Sequence, residues 1–209
     1  MIQIVDYKAG NVTSVQRALR SLGVDSIITP DPDAIRRAER VIFPGVGHAG
    51  AAMQILRERG LDQALREAFA RGVPILGICL GAQVTLTRSE ESESACLELI
   101  PGVTRRFALR DPALKIPHMG WDRIRALREH PLLRELRAGD EFYFVHSYYP
   151  EPAAVEDVFA DCEYETTFPA VIGHANLIAT QFHPEKSGPA GLRMLRNFVE
   201  WNGKIQHAE

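Results

Sequence analysis

The sequence has 209 residues, is 45% apolar and carries a net charge of -3, which fits a single domain over residues 1–209 with a substantial core. Its 24 basic residues do not outnumber its 27 acidic ones, which argues against nucleic-acid binding. It has neither a signal-peptide pattern nor an apolar run of the ~20 residues that span a bilayer. Its three cysteines form no zinc-like pattern, so we expect a cytoplasmic protein with no metal, cofactor or membrane partner.

Predicted strands and helices alternate through the first half of the chain. Asp31 is the expected N-cap of one helix and Pro32 its first residue. This βαβα order predicts an α/β fold with a doubly wound, mainly parallel sheet. The predicted strands are 2–6, 24–28, 40–43 and 73–76, and the predicted helices are 11–22, 31–38, 51–59 and 61–71.

The second half is predicted to be rich in strands, with few helices between them. This pattern indicates an antiparallel or mixed extension of the central sheet. A last helix is expected over 188–201, with an apolar face formed by Leu192, Leu195, Phe198 and Val199. The predicted strands of this half are 103–107, 142–147, 158–164, 170–174 and 177–182.

Residues 73–81 form an apolar strand that ends in the pattern Gly77-x-Cys79-x-Gly81. Hydrolases use this pattern, with serine, to place a nucleophile on a tight turn from strand to helix. The helix expected over 80–87 would point its positive N-terminus at the sulfur and favour the thiolate. The Leu80 N–H would then stabilise an oxyanion. The alternative is an ordinary buried cysteine in a core strand.

His183 and Glu185 follow another apolar strand. A cysteine nucleophile needs a base, and the base needs a third group that fixes its tautomer. In an extended chain these two side chains would project to the same side. An exposed His-Pro-Glu turn is one alternative. A zinc deaminase is another, but it requires a downstream Pro-Cys-x-x-Cys, and no cysteine follows Cys162.

Residues 45–50 match G-x-G-x-x-G after a predicted strand. A dinucleotide site with this fingerprint also has an acidic residue about 20 positions on, at the end of the next strand. The next strand here ends at Gly77 instead. We therefore expect these glycines to free a backbone N–H for a substrate oxyanion rather than to bind a nucleotide.

Taken together, the motifs resemble the family of glutaminase subunits of imidazole glycerol phosphate synthase, from histidine biosynthesis. The Gly77-x-Cys79-x-Gly81 turn, or nucleophile elbow, and the His-Pro-Glu segment are shared by all class I glutamine amidotransferases. Segments 117–121 and 143–148 are more specific to this subunit. The resemblance extends nearly end to end, through residues 6–11, 44–47, 77–83, 100–103, 117–121, 142–149 and 181–187.

The resemblance implies a Cys79-His183-Glu185 triad that hydrolyses L-glutamine to glutamate and ammonia. It implies an oxyanion hole formed by the N–H groups of Val46 and Leu80. It also implies a (β/α)₈-barrel cyclase partner in a heterodimer, which uses the ammonia to make imidazole glycerol phosphate and AICAR. The implied glutamine-binding residues are Gly47, Gln83, Ser147 and Tyr148, and the implied partner-facing residues are Asn11, His118, Trp121, Tyr143 and Lys186.

Two positions depart from the family pattern. Lys8 stands where glycine is expected, which puts the geometry of that loop in question, and Asp122 stands where asparagine is usual. Trp121 and Tyr143 could instead be core aromatics, and Lys186 a solvated surface lysine. The competing functions are the glutaminase of another synthase, which segment 117–121 opposes, and a catalytically inactive regulatory subunit, which the intact triad opposes.

Overall fold

The computed structural model describes residues 1–8 and 10–205, so Ala9, within the family motif at 6–11, lies outside the described residues. Strands and helices alternate through the first half, as predicted. These elements are β1 (Ile2–Val5), α1 (Val12–Ser21), β2 (Ser26–Thr29), α2 (Pro32–Arg36), β3 (Arg40–Gly45), α3 (Ala49–Glu58), α4 (Leu61–Ala70), β4 (Ile75–Cys79) and α5 (Leu80–Gln83).

Short strands dominate the second half, and one long helix closes it. No helix in the described part of the chain is long and apolar enough to cross a membrane. The elements are β5 (Arg88–Ser89), β6 (Ser94–Ala95), β7 (Gly102–Arg106), β8 (His118–Asp122), β9 (Arg125–Ala126), β10 (Phe142–His146), β11 (Tyr148–Pro152), β12 (Val158–Tyr164), β13 (Thr166–His174), β14 (Leu177–Thr180) and α6 (Gly188–Glu200).

An eight-stranded sheet forms the centre of the fold, in the order β2-β1-β3-β4-β14-β13-β12-β9. The five strands from β2 to β14 are parallel, whereas β13, β12 and β9 continue the sheet with antiparallel pairing. The predicted parallel sheet with a mixed extension is therefore confirmed. A two-stranded sheet pairs β8 with β10, and a four-stranded sheet has the order β11-β7-β5-β6.

Helices cover both faces of the parallel part of the sheet. On one face, α1 and α6 pack against residues such as Ile4 and Ile42. On the other face, α2, α3 and α4 pack against Val5, Val41 and Phe43, which are next to Ile4 and Ile42 in the sequence. Since alternate residues of a strand point to opposite faces, nearly continuous apolar strands are what a doubly wound sheet requires.

The helix after Cys79 is shorter than predicted. It was expected to continue to residue 87, but α5 ends at Gln83. The carbonyls of residues 84–86 accept hydrogen bonds from the N–H groups of residues 97–99, so they are not used in further helical hydrogen bonds. The Asp31 cap is confirmed, since its carboxylate accepts the Asp33 N–H at 2.9 Å. The sequence reasoning missed β8 and β11, each only five residues long.

His130 is buried in the core and should make stability pH-dependent. Its Nδ1 accepts the Leu132 N–H at 3.0 Å, and its ring packs on Phe159 and Trp201. Burial lowers the pKa of His130 to about 4, below the value of about 6.5 in an unfolded chain. The folded state therefore favours neutral His130. The stabilisation that this gives to the folded state is complete above about pH 6.5 and is lost as the pH falls towards 4.

A comparison with His130→Asn tests this effect, because asparagine keeps an acceptor for Leu132 but does not titrate. Between pH 7 and pH 4.5, the free energy of unfolding of the native chain should fall by roughly 2–3 kcal/mol more than that of the variant. Denaturant titrations at both pH values measure the difference. Equal losses in the two proteins would contradict the assignment.

Candidate active site

Three strand ends bring the predicted catalytic segments together. In the pairing of β3 with β4, Gly45 lies beside Cys79, so the loop after β3 begins next to the cysteine. On the other side of β4, strand β14 ends at Thr180, three residues before His183. The carboxyl ends of parallel strands form the usual ligand crevice of such a sheet.

Cys79 occupies a strained turn. Its backbone has φ 55° and ψ −109°, in the positive-φ region that non-glycine residues rarely adopt. A Cβ at Gly81 would lie 1.9 Å from the Phe43 carbonyl oxygen, and one at Gly77 would lie 2.9 Å from Ala179 Cβ. The two flanking glycines are therefore needed for the close approach, and the strained elbow geometry expected from the sequence is present.

The other two cysteines lie in different surroundings. Both are buried and free, and neither stands at a strand-to-helix turn of this kind. Burial raises the pKa of Cys96 to about 11 and that of Cys162 to about 12. Both therefore remain protonated thiols at neutral pH, which is the unreactive form of cysteine.

His183 and Glu185 form a buried pair. His183 Nδ1 and Glu185 Oε1 are 2.8 Å apart, and both side chains are fully buried. The other ring nitrogen, Nε2, is also buried and makes no hydrogen bond of normal geometry within the described residues. Nε2 is thus the nitrogen available to Cys79, which is the arrangement expected of a base fixed by a carboxylate.

The local backbone of this pair differs from the expectation. The chain was expected to be extended, but residues Pro184–Lys186 form a 3₁₀ turn. Proline suits the first position of such a turn because it has no N–H to satisfy. Ser187 Oγ donates to the His183 carbonyl at 2.6 Å and closes the turn.

The electrostatics of the site favour a protonated His183. Burial acts to lower its pKa, but the interactions with Cys79 and with Glu185 outweigh burial and raise the pKa to about 10. An imidazolium beside a cysteine is what stabilises a thiolate nucleophile. The Asn11 amide also donates to Glu185 Oε1, which places a second donor on the same carboxylate oxygen.

All the predicted oxyanion and glutamine-binding residues border one cavity of about 410 Å³, together with Cys79. Val46 is partly exposed there, and Gly47 adopts φ 101°, a conformation that glycine takes without strain. The cavity also includes residues that were not predicted. Its lining consists of Val46, Gly47, Cys79, Leu80, Gln83, Glu91, Pro117, Val145, His146, Ser147 and Tyr148.

Gln181 is one contributor that the sequence reasoning missed. Its amide Nε2 donates to Cys79 Sγ at 3.6 Å, and its Oε1 accepts from Gln83 Nε2 at 3.0 Å. Gln83 Nε2 also donates to the Tyr148 carbonyl at 2.8 Å. This buried chain of amides fixes Gln83 beside the nucleophile. The only signal in the sequence was the position of Gln181, near the end of the predicted strand 177–182 and two residues before His183.

Glu91 was also missed, because the acidic segment 89–94 in which it lies matches no catalytic or binding motif. Its carboxylate accepts the Ala49 N–H at 2.6 Å, at the N-terminus of α3. In a dinucleotide-binding protein this helix end would bind the pyrophosphate. Here the chain's own Glu91 carboxylate occupies the helix end.

The predicted partner-facing residues separate into two groups. Trp121 and Tyr143 pair across β8 and β10 with ring centroids 5.9 Å apart, and Lys186 Nζ lies 5.7 Å from the Tyr143 centroid. Trp121 is 51% exposed, so it is no core aromatic. His118 is only 2% exposed, which leaves almost none of its ring for a partner.

The two loop positions near β1 also differ from simple surface residues. Asn11 is half-buried, and its side chain turns inward to Glu185. Lys8 has φ 68°, a left-handed conformation that glycine adopts most easily. Its N–H is held by Asp6 Oδ1 at 2.9 Å, so the loop accommodates lysine at the departing position.

Comparison with known proteins identifies the fold and the family. The family model described as class-I glutamine amidotransferase matches residues 3–201. A solved structure from Thermotoga maritima, described as PurLQS, has a TM-score of 0.74 at 17% identity and covers 95% of this chain and 97% of its own. Another, described as a glutamine amidotransferase, has a TM-score of 0.72 at 19% identity and covers 97% and 100%. These structures show the fold.

The sequence relatives narrow the family. A protein of Nitratidesulfovibrio vulgaris (strain DP4), described as imidazole glycerol phosphate synthase subunit HisH, is 50% identical over 95% of this chain and 95% of its own. A protein of Chromobacterium violaceum with the same description is 41% identical over 98% of this chain and 99% of its own. The chain therefore belongs to the family of glutamine amidotransferase subunits of imidazole glycerol phosphate synthase, within class-I glutamine amidotransferases, and has a glutamine amidotransferase role in histidine biosynthesis.

Proposed function

We propose that Cys79, His183 and Glu185 hydrolyse glutamine to glutamate and ammonia, and that the ammonia passes to a (β/α)₈-barrel cyclase partner. The partner then makes imidazole glycerol phosphate and AICAR. The observation that carries the proposal is the strained Cys79 at the edge of a 410 Å³ cavity, beside a buried His183–Glu185 pair. The family relationship supplies the reaction.

The first half of the reaction forms a thioester. The Cys79 thiolate attacks the side-chain amide carbon of glutamine, and the carbonyl oxygen becomes an oxyanion. The N–H groups of Leu80 and Val46 are the proposed donors to that oxygen. As the oxyanion collapses, the C–N bond breaks and His183 gives its proton to the leaving nitrogen, which departs as ammonia.

The second half regenerates the enzyme. Neutral His183 takes a proton from water, and the resulting hydroxide attacks the thioester carbon. The C–S bond then breaks, which releases glutamate and restores the Cys79 thiolate beside a protonated His183. Throughout the cycle Glu185 holds Nδ1–H at 2.8 Å, so Nε2 remains the nitrogen that exchanges protons with the reacting groups.

Glutamine recognition would use the lining of the cavity. Because Gln83 Nε2 is already bonded to Gln181 and Tyr148, its side-chain oxygen is the atom it can offer to the substrate. Gly47, Ser147 and Tyr148 add backbone and hydroxyl groups. Glu91 is the one carboxylate in the cavity lining, which makes it the proposed partner of the substrate α-ammonium group.

Glu91→Gln should therefore weaken glutamine binding more than it slows turnover. Loss of a charge-assisted contact predicts an increase in KM of about tenfold, with a smaller change in kcat. Steady-state kinetics of the complex measure both constants. Glu93→Gln is the matched control, since Glu93 lies on the same loop with its side chain 77% exposed. Equal KM values in both variants would contradict a role for Glu91.

The partner surface is proposed to include Trp121, Tyr143 and Lys186, with Asn11 at its edge. This surface has a direct connection to the active site. The Tyr143 carbonyl accepts the His183 N–H at 2.9 Å, and the Tyr143 N–H donates to Ser187 Oγ at 3.0 Å. A partner docked on Tyr143 would thus act on the backbone of the catalytic turn through two hydrogen bonds.

A second element gives the partner a further means of control. Val46 lies between two glycines, so its peptide can rotate at little steric cost. Losing one oxyanion donor typically slows a reaction by about 10²–10³-fold. We propose that the chain alone is a poor glutaminase, and that docking of the partner with its nucleotide substrate biases the Val46 N–H towards the oxyanion.

The test is glutamate production by the chain alone, with the cyclase, and with the cyclase plus its nucleotide substrate. Glutamate formation should increase at each addition and should require Cys79. If the isolated chain is as fast as the full complex, the proposed control is wrong, although the hydrolytic reaction stands. If none of the three preparations releases glutamate, the proposed function itself is wrong.

A further inference from the structure

A chain of hydrogen bonds runs from the surface to the wall of the cavity through two buried histidines. His118 Nε2 lies 2.8 Å from Asp122 Oδ2, and His118 Nδ1 lies 3.1 Å from His146 Nε2. His146 Nδ1 lies 2.8 Å from the Tyr148 carbonyl oxygen. The histidines are 2% and 5% exposed, whereas the Asp122 side chain is 41% exposed.

Both ends of this chain are acceptors, which fixes the number of protons it needs. A carbonyl oxygen and an ionised carboxylate donate nothing, so all three contacts must be supplied by the two rings. Each contact needs one proton, and therefore three protons are required. Two neutral imidazoles carry only two. With two protons, one contact would bring two lone pairs face to face inside the protein.

We propose that His118 and His146 together hold three protons at neutral pH, with His118 as an imidazolium paired to the Asp122 carboxylate, and that this chain positions the Tyr148 wall of the cavity. His146 then remains neutral and donates Nδ1–H to the Tyr148 carbonyl. Asp122, His118 and His146 act as positioning residues, because they act through Tyr148, which is a proposed glutamine-binding residue, although His146 also borders the cavity. This functional part rests on the proposed function, whereas the proton count does not.

The surroundings of the two rings are mostly aromatic. Phe107, Phe144 and Phe168 pack on them. The titratable groups that face the chain are Tyr164, stacked on His118 with centroids 4.0 Å apart, Cys162, close enough to Asp122 for that carboxylate to raise its pKa, and His183, whose charge lowers the pKa of His146.

Burial by itself opposes a charge on either ring. It lowers the pKa of His118, and it lowers that of His146 to about 3, with further contributions from His118 and His183. His146 is accordingly the neutral member. The Asp122 carboxylate acts in the other direction and raises the pKa of His118. The hydrogen bonds also favour the protonated ring, because a neutral His118 would leave one contact without a proton.

Loss of the third proton at high pH would be felt at Tyr148. The carboxylate retains the Nε2–H of His118, so His118 Nδ1 loses its proton and becomes an acceptor. His146 then shifts to the tautomer with its proton on Nε2, which donates a hydrogen bond to His118 Nδ1. His146 Nδ1 then presents a lone pair to the Tyr148 carbonyl. The Gln83 amide would be the remaining donor to that carbonyl, and the wall that holds glutamine would loosen.

Asp122→Asn separates the proton count from the structure. An asparagine amide can donate to His118 Nε2, so all three contacts are made with two neutral rings. Nitrogen-15 NMR of the histidines, with His118 assigned through His118→Gln, should show both nitrogens of His118 protonated in the native chain at neutral pH. Only Nδ1 should be protonated in Asp122→Asn. Asp25→Asn, an exposed site with the same charge change, should behave as the native chain does.

The proposed positioning of Tyr148 is tested by measuring KM for glutamine in the complex with the cyclase. As pH passes the value at which NMR shows His118 losing its proton, the native KM should rise by about two- to tenfold relative to that of Asp122→Asn. A neutral His118 in the native chain would overturn the proton count, whatever the activity. A KM ratio that stays constant while His118 titrates would overturn the positioning role. Activity absent from every preparation would instead contradict the proposed function.

Discussion

Cys79→Ala should reduce glutamine hydrolysis by the complex to background, a loss of roughly 10⁴-fold or more. The variant keeps the backbone and removes only the sulfur that would carry the covalent step. Synthesis driven by added ammonia should persist, because the cyclase partner is proposed to perform that chemistry. Glutamate release and product formation from either nitrogen source, measured on the same preparation, give the result.

The control for this prediction is Cys96→Ala. Cys96 is also buried, but burial raises the pKa of its thiol to about 11, and it lies outside the cavity lining. Its removal should leave glutamine turnover close to native. Normal turnover in Cys79→Ala would refute the nucleophile assignment, and loss of the ammonia-driven reaction would show that the substitution damaged the complex rather than the chemistry.

Glu185→Gln is expected to lower kcat by about 10²–10⁴-fold while KM changes only a few-fold. The glutamine amide can donate to His183 Nδ1, which stabilises the tautomer with a proton on Nε2. That tautomer cannot accept a proton from the groups at the reacting centre. Removing the carboxylate also removes one of the interactions that raise the pKa of His183, so the imidazolium becomes less stable.

Steady-state kinetics over a range of pH values test this second prediction. Glu156→Gln provides the same chemical change at an exposed position outside the cavity lining, and its kcat should remain native. If Glu185→Gln turns over normally, Glu185 does not orient the base. If KM rises as much as kcat falls, its carboxylate acts mainly in substrate binding.

The parallel half of the fold could be predicted from the sequence because its strands and helices alternate in regular, apolar segments. The strand over 158–164 was predicted with the boundaries it has in the structure. The limit of α5 could not be predicted, because it depends on residues 97–99 taking the carbonyls that would have continued the helix. Strand β11 was missed because it contains Pro150 and Pro152, which are unfavourable in most strands.

The candidate site divides along similar lines. Cys79, His183 and Glu185 stand in short sequence patterns, so a single sequence identifies them as candidates, although the backbone at Pro184–Lys186 is a 3₁₀ turn and not the extended chain that was expected. Gln181 contacts Cys79, which lies 102 positions earlier in the sequence, and Asn11 contacts Glu185, which lies 174 positions later. No local sequence pattern encodes such contacts. The burial of His118 was missed for a related reason, since its neighbours come from β10, β12 and β13.

Covalent labelling of the complex with an electrophilic glutamine analogue tests the central assignment most directly. The three cysteines lie on different peptides after digestion, so mass spectrometry can locate the adduct. We predict one adduct per chain, on Cys79, that forms in step with the loss of glutaminase activity and is slowed by glutamine. Loss of activity with the adduct on Cys96 or Cys162, or with Cys79 unmodified, would contradict the proposal that Cys79 is the nucleophile.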